Sequence, residues 1–512
     1  MKKRIAIVLV SLLLVCAFAA CDMEFGGLVG ELLGDLELPT DIAGRPLPDE
    51  MPPEWVESET VPAETWWDED TTYEETVAPD DRSDFQYSYS LYTGQTLTVL
   101  GQNEDDLGFE ETSGNDLESM SYLRNQIMEE SFGINVEALM IEGGELAALV
   151  KNEAASGGGN CDIVMGGMAD TGAALVQSGV LLNLRDLPYL DLTTARWDAG
   201  INEGLAFGNY LPMATGLAAP ASNLHTSLLL FNKQTADNYG IDAYDYVQTG
   251  SWTVEKMHAI AEMCYVDLNG NGCTDEEDAF GVVASYNCAN AFTVATDTML
   301  IAKDADNMPV FNTEVTDRLA TAYEGVYNML FATSALYYSS MQDVPGSNVA
   351  RTVFEQGNTL FYATTIEDVM QTNDMNIDMG LLPYPKLNLE QENYQSYVNC
   401  ATTAIMVPVS VKDTEFVGYA LEALAHTSDN MYTVTISNRI CRSEQDREML
   451  NIVLDTKTLD FGSTYLLTAS GGVVQYFQMA LEQQNPSVLS LIKQYEKVLG
   501  KYVEKLMESI PS

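Results

Sequence analysis

Apolar, strand-like segments alternate with amphipathic helices between residues 97 and 167, and this alternation limits the fold more than any other feature. The segments typical of strands are 97–101, 134–139 and 162–165, and those typical of helices are 117–132 and 145–155. Glycines follow both helices, in the position where a left-handed residue commonly ends one. Strands joined by helices form βαβ units, so the alternation predicts an α/β fold built on parallel strands.

Ligands of such sheets bind beyond the carboxyl ends of the strands. Gln102 and Asn103 follow the first predicted strand, and Met168 follows the third. We therefore expect these three residues at a binding cleft.

Length and charge narrow the class of protein. A chain of 512 residues is too long for a single core, which predicts two or three domains. The net charge of −52 argues against binding to nucleic acid, whose phosphates require Lys and Arg. The same charge argues against electrostatic attraction to an anionic membrane surface.

The first 20 residues have the pattern of a signal peptide. Lys2, Lys3 and Arg4 precede an apolar stretch, and small residues lead to Cys21. This arrangement resembles a bacterial lipoprotein signal, with Phe18 where Leu is usual, and implies a lipid on Cys21. The alternative is an ordinary secretory signal with an incidental cysteine.

Residues 21–94 are rich in acidic residues and proline, which predicts an extended, disordered tether. Six cysteines follow Cys21 and allow 15 pairings, so connectivity stays open. We expect mostly buried thiols with at most one bridge.

Residues 267–278 match the pattern of a calcium-binding loop. The candidate ligands are Asp267, Asn269, Asn271, Cys273, Asp275 and Asp278. Asp278 stands where the pattern has Glu, and a shorter carboxylate is less able to bind bidentately. The alternative is a solvated turn rich in Asn, Gly and Asp. Because only one such loop exists, a bound Ca²⁺ would act as a structural clip.

No catalytic motif is recognisable. The three histidines lie outside any HExxH pattern, and the run of three glycines at 157–159 is not followed by Lys and Ser or Thr. We therefore expect a protein that is not an enzyme.

Several segments, in their order and spacing, resemble the sugar-binding branch of the family 1 extracellular solute-binding proteins of bacterial ABC importers. The segments are DIVMGG, VLLNLRDLPYLDL, LLLFNKQTADNYGID, GSWTVEKMHAIA, VFEQGNTLFYAT, GLLPYPK and AIMVPVS. The resemblance implies a two-lobed, periplasmic-binding-protein-like fold of type II. One lobe would take residues 95–225 plus 400–430, and the other 226–399 plus 431–512.

The resemblance also implies capture of a small solute, in this branch a carbohydrate, by closure of the lobes. A monomer held by Cys21 at the extracellular face of the cell membrane would deliver the solute to ABC permease subunits. The alternatives are a surface adhesion or scaffold lipoprotein with the same fold, or a non-sugar solute such as a peptide or polyamine.

A sugar ring has an apolar face and hydroxyl edges, so aromatic and polar side chains together suit it. Tyr362, Thr364 and Thr365 lie where a predicted strand ends and a helix begins. Further candidates are Trp197, Tyr397 and Asn399. Trp252, which precedes a helix, is expected to be a packing residue.

Overall fold

The computed structural model describes residues 85–512, except 110–115, 143, 220, 313–315, 343–348, 372–376, 429–430 and 512. The predicted signal peptide, Cys21 and the tether as far as residue 84 lie outside the described residues.

The strands, in chain order, are β1 (Thr96–Gly101), β2 (Asn135–Met140), β3 (Ile163–Gly167), β4 (Met213–Ala214), β5 (Ser227–Asn232), β6 (Phe280–Ser285), β7 (Ile301–Lys303), β8 (Pro309–Phe311), β9 (Ala335–Tyr338), β10 (Thr359–Thr365), β11 (Met379–Leu382), β12 (Ser396–Tyr397), β13 (Thr403–Met406) and β14 (Lys457–Thr458).

The helices are α1 (Glu104–Leu107), α2 (Asp116–Ile127), α3 (Glu145–Ser156), α4 (Ala173–Val176), α5 (Ala199–Leu205), α6 (Ala221–Leu224), α7 (Lys233–Tyr239), α8 (Ala243–Gln248), α9 (Val254–Met263), α10 (Cys288–Ala295), α11 (Thr316–Leu330), α12 (Val349–Glu355), α13 (Ile366–Gln371), α14 (Thr414–Thr427), α15 (Met431–Ile440), α16 (Glu444–Asp455), α17 (Phe461–Tyr465), α18 (Leu467–Ser470), α19 (Tyr476–Glu482) and α20 (Val488–Glu508). A π-helical turn at Met128–Phe132 extends α2.

The first sheet has the strand order β2-β1-β3-β13-β4. β1 is parallel to both β2 and β3, which confirms the predicted parallel strands. β13 returns to this sheet from much later in the chain and runs antiparallel to β3. Gly133, between α2 and β2, has a φ of +65°, a conformation that glycine adopts without steric cost.

The second sheet has the order β11-β5-β10-β6-β9. β5 is antiparallel to β10 and β11, whereas β6 is parallel to β10 and β9. Two separate mixed sheets with helices packed on them confirm the predicted α/β architecture. The exact ends of the two lobes stay a prediction.

Two segments carry the chain between the two sheets, residues 223–227 and 396–403, and a third, residues 456–460, pairs with the second of them through β14; we call all three the crossing segments. Thr226 pairs with Val398 in an antiparallel bridge, and β12 pairs with β14 in parallel. The ammonium of Lys457 donates to Oδ1 of Asn223 at 2.6 Å and pairs with Asp198. The crossing segments therefore lie side by side and are bonded to one another.

The prediction that the disordered tether extends to residue 94 is wrong. Phe85, which was assigned to it, packs edge-on against Phe132 and Tyr419 at ring-centroid distances of 5.0 and 5.6 Å. Tyr92 lies 5.1 Å from Tyr419. Four aromatic residues in eight positions supply enough apolar area to dock residues 85–92 on the first lobe, so the ordered chain begins before residue 95.

The six cysteines in the described residues are all free, and Cys161, Cys264, Cys288 and Cys400 are buried. Burial raises the pKa of the Cys161 thiol to about 12. These thiols therefore behave as small apolar core groups.

Candidate functional site

A cavity of about 400 Å³ opens at the end of β10, next to the crossing segments. The described residues that line it are His225, Ser227, Ser285, Asn287, Cys288, Ala350, Tyr362, Ala363, Thr364, Thr365, Glu367, Asp368, Tyr384 and Asn399. Its volume falls within the range of small-molecule pockets, roughly 300–1,000 Å³. Hydroxyl, amide, carboxylate and aromatic groups all contribute to the lining.

Asp368, in the first turn of α13, organises one wall of the cavity. The hydroxyls of Tyr362 and Thr364 both donate to its Oδ2 at 2.7 Å. Nη1 of Arg351 donates to Oδ1 at 3.2 Å. Its own backbone amide donates to Oγ1 of Thr365 at 3.4 Å, so Thr365 caps α13. Both carboxylate oxygens are therefore engaged, which fixes the two β10 side chains against the cavity.

Tyr362 is 6% exposed, and its ring stacks on Phe354 at 5.5 Å. Burial, together with the nearby Asp368 carboxylate, raises the pKa of the Tyr362 hydroxyl well above its usual value. The group is therefore a neutral hydrogen-bond donor at physiological pH.

His225 and Glu367 form a second polar pair on the lining, with Nε2 and Oε2 3.5 Å apart. Burial lowers the pKa of His225, although the carboxylates of Glu367 and Asp105 act in the opposite direction. The imidazole is therefore mainly neutral at pH 7, and the Glu367 side chain remains 46% exposed.

Asn399 closes the cavity where the second crossing segment turns towards β13. The backbone amide of Asn399 donates to the backbone carbonyl of His225 at 2.9 Å. The side-chain Oδ1 of Asn399 accepts from the backbone amide of Ala401 at 2.9 Å. Two residues of different crossing segments therefore meet in the cavity wall.

No family profile and no curated protein sequence matches this chain. Solved structures do match. M. tuberculosis UspC has a TM-score of 0.54 at 13% identity, covering 80% of this chain and 100% of that one. An ABC substrate-binding protein of Listeria monocytogenes, solved with cycloalternan, has a TM-score of 0.51 at 13% identity over 80% and 99% of the two chains. A cyclo/maltodextrin-binding protein complexed with maltotetraose has a TM-score of 0.51 at 12% identity over 81% and 96%.

The chain has the fold of the ABC solute-binding proteins. Within this solute-binding-protein fold, four of the sequence-predicted ligand residues line the cavity: Tyr362, Thr364, Thr365 and Asn399. All four come from β10 or from a crossing segment, which is why they meet.

The other predicted ligand residues lie away from the lining. Tyr397 is 3% exposed and its hydroxyl accepts from the amide of Cys400 at 3.4 Å. Met168 is completely buried in the core of the first lobe. Trp197 is 3% exposed and lies so close to Gly216 that a Cβ there would come within 2.8 Å of its ring. Each is held in the core because a large apolar side chain gains most from full burial.

Gln102 and Asn103 also serve local structure. Oε1 of Gln102 accepts from the amide of Gly167 at 3.2 Å and from the hydroxyl of Thr171 at 3.0 Å. Oδ1 of Asn103 accepts from the amide of Asp105 at 3.0 Å and so caps α1. The two polar side chains that follow β1 therefore accept hydrogen bonds from nearby loop and helix residues.

Sequence reasoning missed His225, Glu367 and Asp368. Glu367 and Asp368 lie two and three residues after Thr365, in the first turn of α13, and His225 lies two residues before the apolar strand β5. The signal that could have found them is the presence of polar residues just after β10 and just before β5.

The predicted calcium loop is folded by its own side chains. Oδ1 and Oδ2 of Asp267 accept from the amides of Gly270 and Gly272 at 2.7 and 2.9 Å. Oδ1 of Asn269 and of Asn271 accept from amides two residues further on. Asp275 accepts from both Asn side chains, and buried Asp278 accepts from the amides of Leu268 and Asp275 at 3.2 Å.

In the described parts of the chain, no group of three or more His, Cys, Asp or Glu side chains is arranged to hold a metal ion. The loop nevertheless supplies carboxylate and amide oxygens, which are the donors that Ca²⁺ takes. Calcium binding by this loop stays a prediction.

Proposed function

We propose that this protein is an extracellular solute-binding protein that captures a carbohydrate in the cavity and delivers it to an ABC permease. The observation that supports the proposal most is the make-up of the cavity. The lining includes the aromatic residues Tyr362 and Tyr384, at 6% and 2% exposure, together with the hydroxyl of Thr364, the amide of Asn399 and the carboxylate of Glu367. A sugar needs this combination, because its ring has apolar faces and its edge carries hydroxyl groups.

The position of the cavity supports capture by lobe closure. His225 and Asn399 belong to the crossing segments, so a rotation of one sheet relative to the other would move the cavity wall. Hinge closure around a ligand is a recognised mode of switching in two-lobed proteins. Proteins of the same fold were solved with cycloalternan and with maltotetraose, which agrees with a carbohydrate ligand.

The proposed working step is binding without catalysis. Asp368 is engaged by Tyr362, Thr364 and Arg351, so it is occupied as an acceptor. Glycoside hydrolysis requires two carboxyl groups that face the scissile bond from opposite sides. Glu367 and Asp368 are adjacent in sequence on one helix and form one side of the cavity.

A thermal-shift screen tests the carbohydrate ligand, because a compound that binds only the folded state raises the melting temperature. Neutral mono- and oligosaccharides form the panel, and peptides and polyamines serve as comparison sets. We expect a dose-dependent rise with at least one sugar. A rise with peptides or polyamines alone would replace the carbohydrate with that solute, and a melt unaffected by any solute would favour an adhesion or scaffold role.

We also propose that a diacylglycerol on Cys21 anchors the protein to the outer face of the cell membrane. Among the helices that the structure describes, none is both long and apolar enough to span a bilayer. The test is Cys21→Ser in the source cell type. Recovery of the variant in the soluble extracellular fraction supports the anchor, and retention in the membrane fraction contradicts it.

A further inference from the structure

Carboxylates dominate the charged groups at the cavity. Glu367 and Asp368 are part of the lining, and Asp105 on α1 lies close enough to act on the pKa of His225. The whole chain carries 76 acidic residues against 24 Lys and Arg, which adds a negative long-range field. A negatively charged solute group is therefore repelled both at a distance and on contact.

No compensating cation faces the solute from the described lining, which contains neither Lys nor Arg. The guanidinium of Arg351, which contacts the lining residue Asp368, donates to it at 3.2 Å and lies 3.8 Å from Glu355. Burial lowers the pKa of His225, so its imidazole supplies little positive charge at neutral pH. Recognition of carboxylate or phosphate in proteins typically uses Arg or Lys, and the described lining provides no such group.

Glu367 and Asp368 differ in what they can offer a solute. Asp368 is 16% exposed and its two oxygens accept from Tyr362, Thr364 and Arg351. Glu367 is 46% exposed and has His225 at 3.5 Å as a loose partner. Its carboxylate can accept a hydrogen bond from a hydroxyl or pair with an ammonium group.

We propose that the cavity binds sugars that are uncharged or bear an amine, excludes sugars that bear a carboxylate, sulfate or phosphate, and owes this selection to Glu367. The inference rests on the proposed carbohydrate function and specifies the charge class of its ligand.

Matched sugars test the selection on the full-length mature protein. Each series contains a hexose, its 2-amino sugar and its uronate, as mono- and disaccharides of the gluco, galacto and manno configurations. Isothermal titration at neutral pH and low salt gives the affinities. In any series that binds, we expect the uronate to bind at least about tenfold more weakly than the hexose, a difference of about 1.4 kcal/mol. We expect the amino sugar to bind no more weakly than the hexose.

Glu367→Gln keeps the shape of the side chain and removes its charge. We expect the difference between hexose and uronate to fall to about threefold or less in this variant. Glu255→Gln, on the exposed face of α9 and outside the lining, is the matched control and should retain the full difference. Circular dichroism melts verify that both variants fold.

A uronate that binds as tightly as its hexose overturns the proposal, as does an unchanged difference in Glu367→Gln or a tenfold loss with the amino sugar. In these cases sugar binding itself, and hence the proposed function, still stands. Failure of every sugar in the panel to bind overturns the proposed function and this inference together.

Discussion

The backbone amide of Asn399 donates a 2.9 Å hydrogen bond to the carbonyl oxygen of His225. These residues belong to two different crossing segments, and both line the cavity. The backbone that connects the two sheets is therefore also part of the wall that a solute would touch. A rotation of one lobe relative to the other would therefore move cavity-lining residues that this bond connects.

Replacement of Lys457 by Met is expected to destabilise the crossing segments. The Lys457 ammonium bonds Asn223 at 2.6 Å and pairs with Asp198, and both charged side chains are largely buried, at 10% and 16% exposure. Removal of one partner leaves a carboxylate without its counter-charge, which costs about 3 kcal/mol. Urea denaturation measures the loss, with Lys497→Met on the exposed face of α20 as the control. Equal midpoints for the two variants would contradict the structural role of Lys457.

Replacement of Tyr362 by Phe removes the hydroxyl and keeps the ring that stacks on Phe354. The lost 2.7 Å bond to Asp368 is expected to reduce the free energy of unfolding by about 1–2 kcal/mol. Solute affinity should fall as well, because Thr364 and Asp368 lose a fixed neighbour. Denaturation and titration calorimetry measure the two effects separately. A variant with wild-type affinity would show that this wall does not position the solute.

Calcium is expected to raise the melting temperature relative to EDTA if residues 267–278 hold the ion. Asp267→Asn should abolish the difference, because a carboxylate at the first position of the loop supplies charge that an amide lacks. Identical melts of the wild type with calcium and with EDTA would leave a turn held by its own hydrogen bonds, such as those of Asp267 to Gly270 and Gly272.

Because of buried Lys303, the free energy of unfolding is expected to increase with pH in the alkaline range. Its ammonium donates to the carbonyl of Ala206 and lies 4.6 Å from the Phe461 ring centroid. Burial lowers the pKa of Lys303 to about 8, while Glu203 and Asp304 oppose the shift and Arg185 adds to it. Between the folded pKa and the ordinary value of about 10.4, the unfolded chain binds a proton that the folded chain lacks, so stability rises with pH.

The measurement is the difference in unfolding free energy between the wild type and Lys303→Met, taken at about pH 7.5 and about pH 9.5. The unfolding free energy of the wild type should increase relative to that of the variant at the higher pH. Contributions from other titrating groups cancel in the comparison. A difference that is constant with pH would contradict the buried position of the ammonium.

The fold was predictable because long apolar periodicities leave few alternatives. The parallel β1, β2 and β3 lie within one or two residues of their predicted positions. Trp252 is buried completely and its Nε1 donates to the carbonyl of Pro383 at 2.9 Å, which confirms the predicted packing role. The antiparallel partners were not predicted, because β13 pairs with β3 across more than 200 residues and local periodicity carries no such information.

The candidate site was only partly predictable. Tyr362, Thr364 and Thr365 were predicted to lie together, and they do lie together on the lining, because they share one strand end, where position along the chain determines position in space. Met168 follows a predicted strand end, but this position says nothing about whether a side chain turns into the core, where both Met168 and Trp197 lie. His225 reaches the lining through the pairing of two crossing segments, a contact between distant parts of the chain.

Titration calorimetry of the full-length mature protein with neutral oligosaccharides, compared with a variant whose cavity is filled, tests the central claim most directly. Ser285→Trp places a bulky side chain on the lining at the end of β6, at a partly exposed position. The account predicts saturable binding of at least one sugar by the wild type and a loss of about tenfold or more in the filled variant. An absence of sugar binding in the wild type, or equal affinity in both proteins, would contradict it.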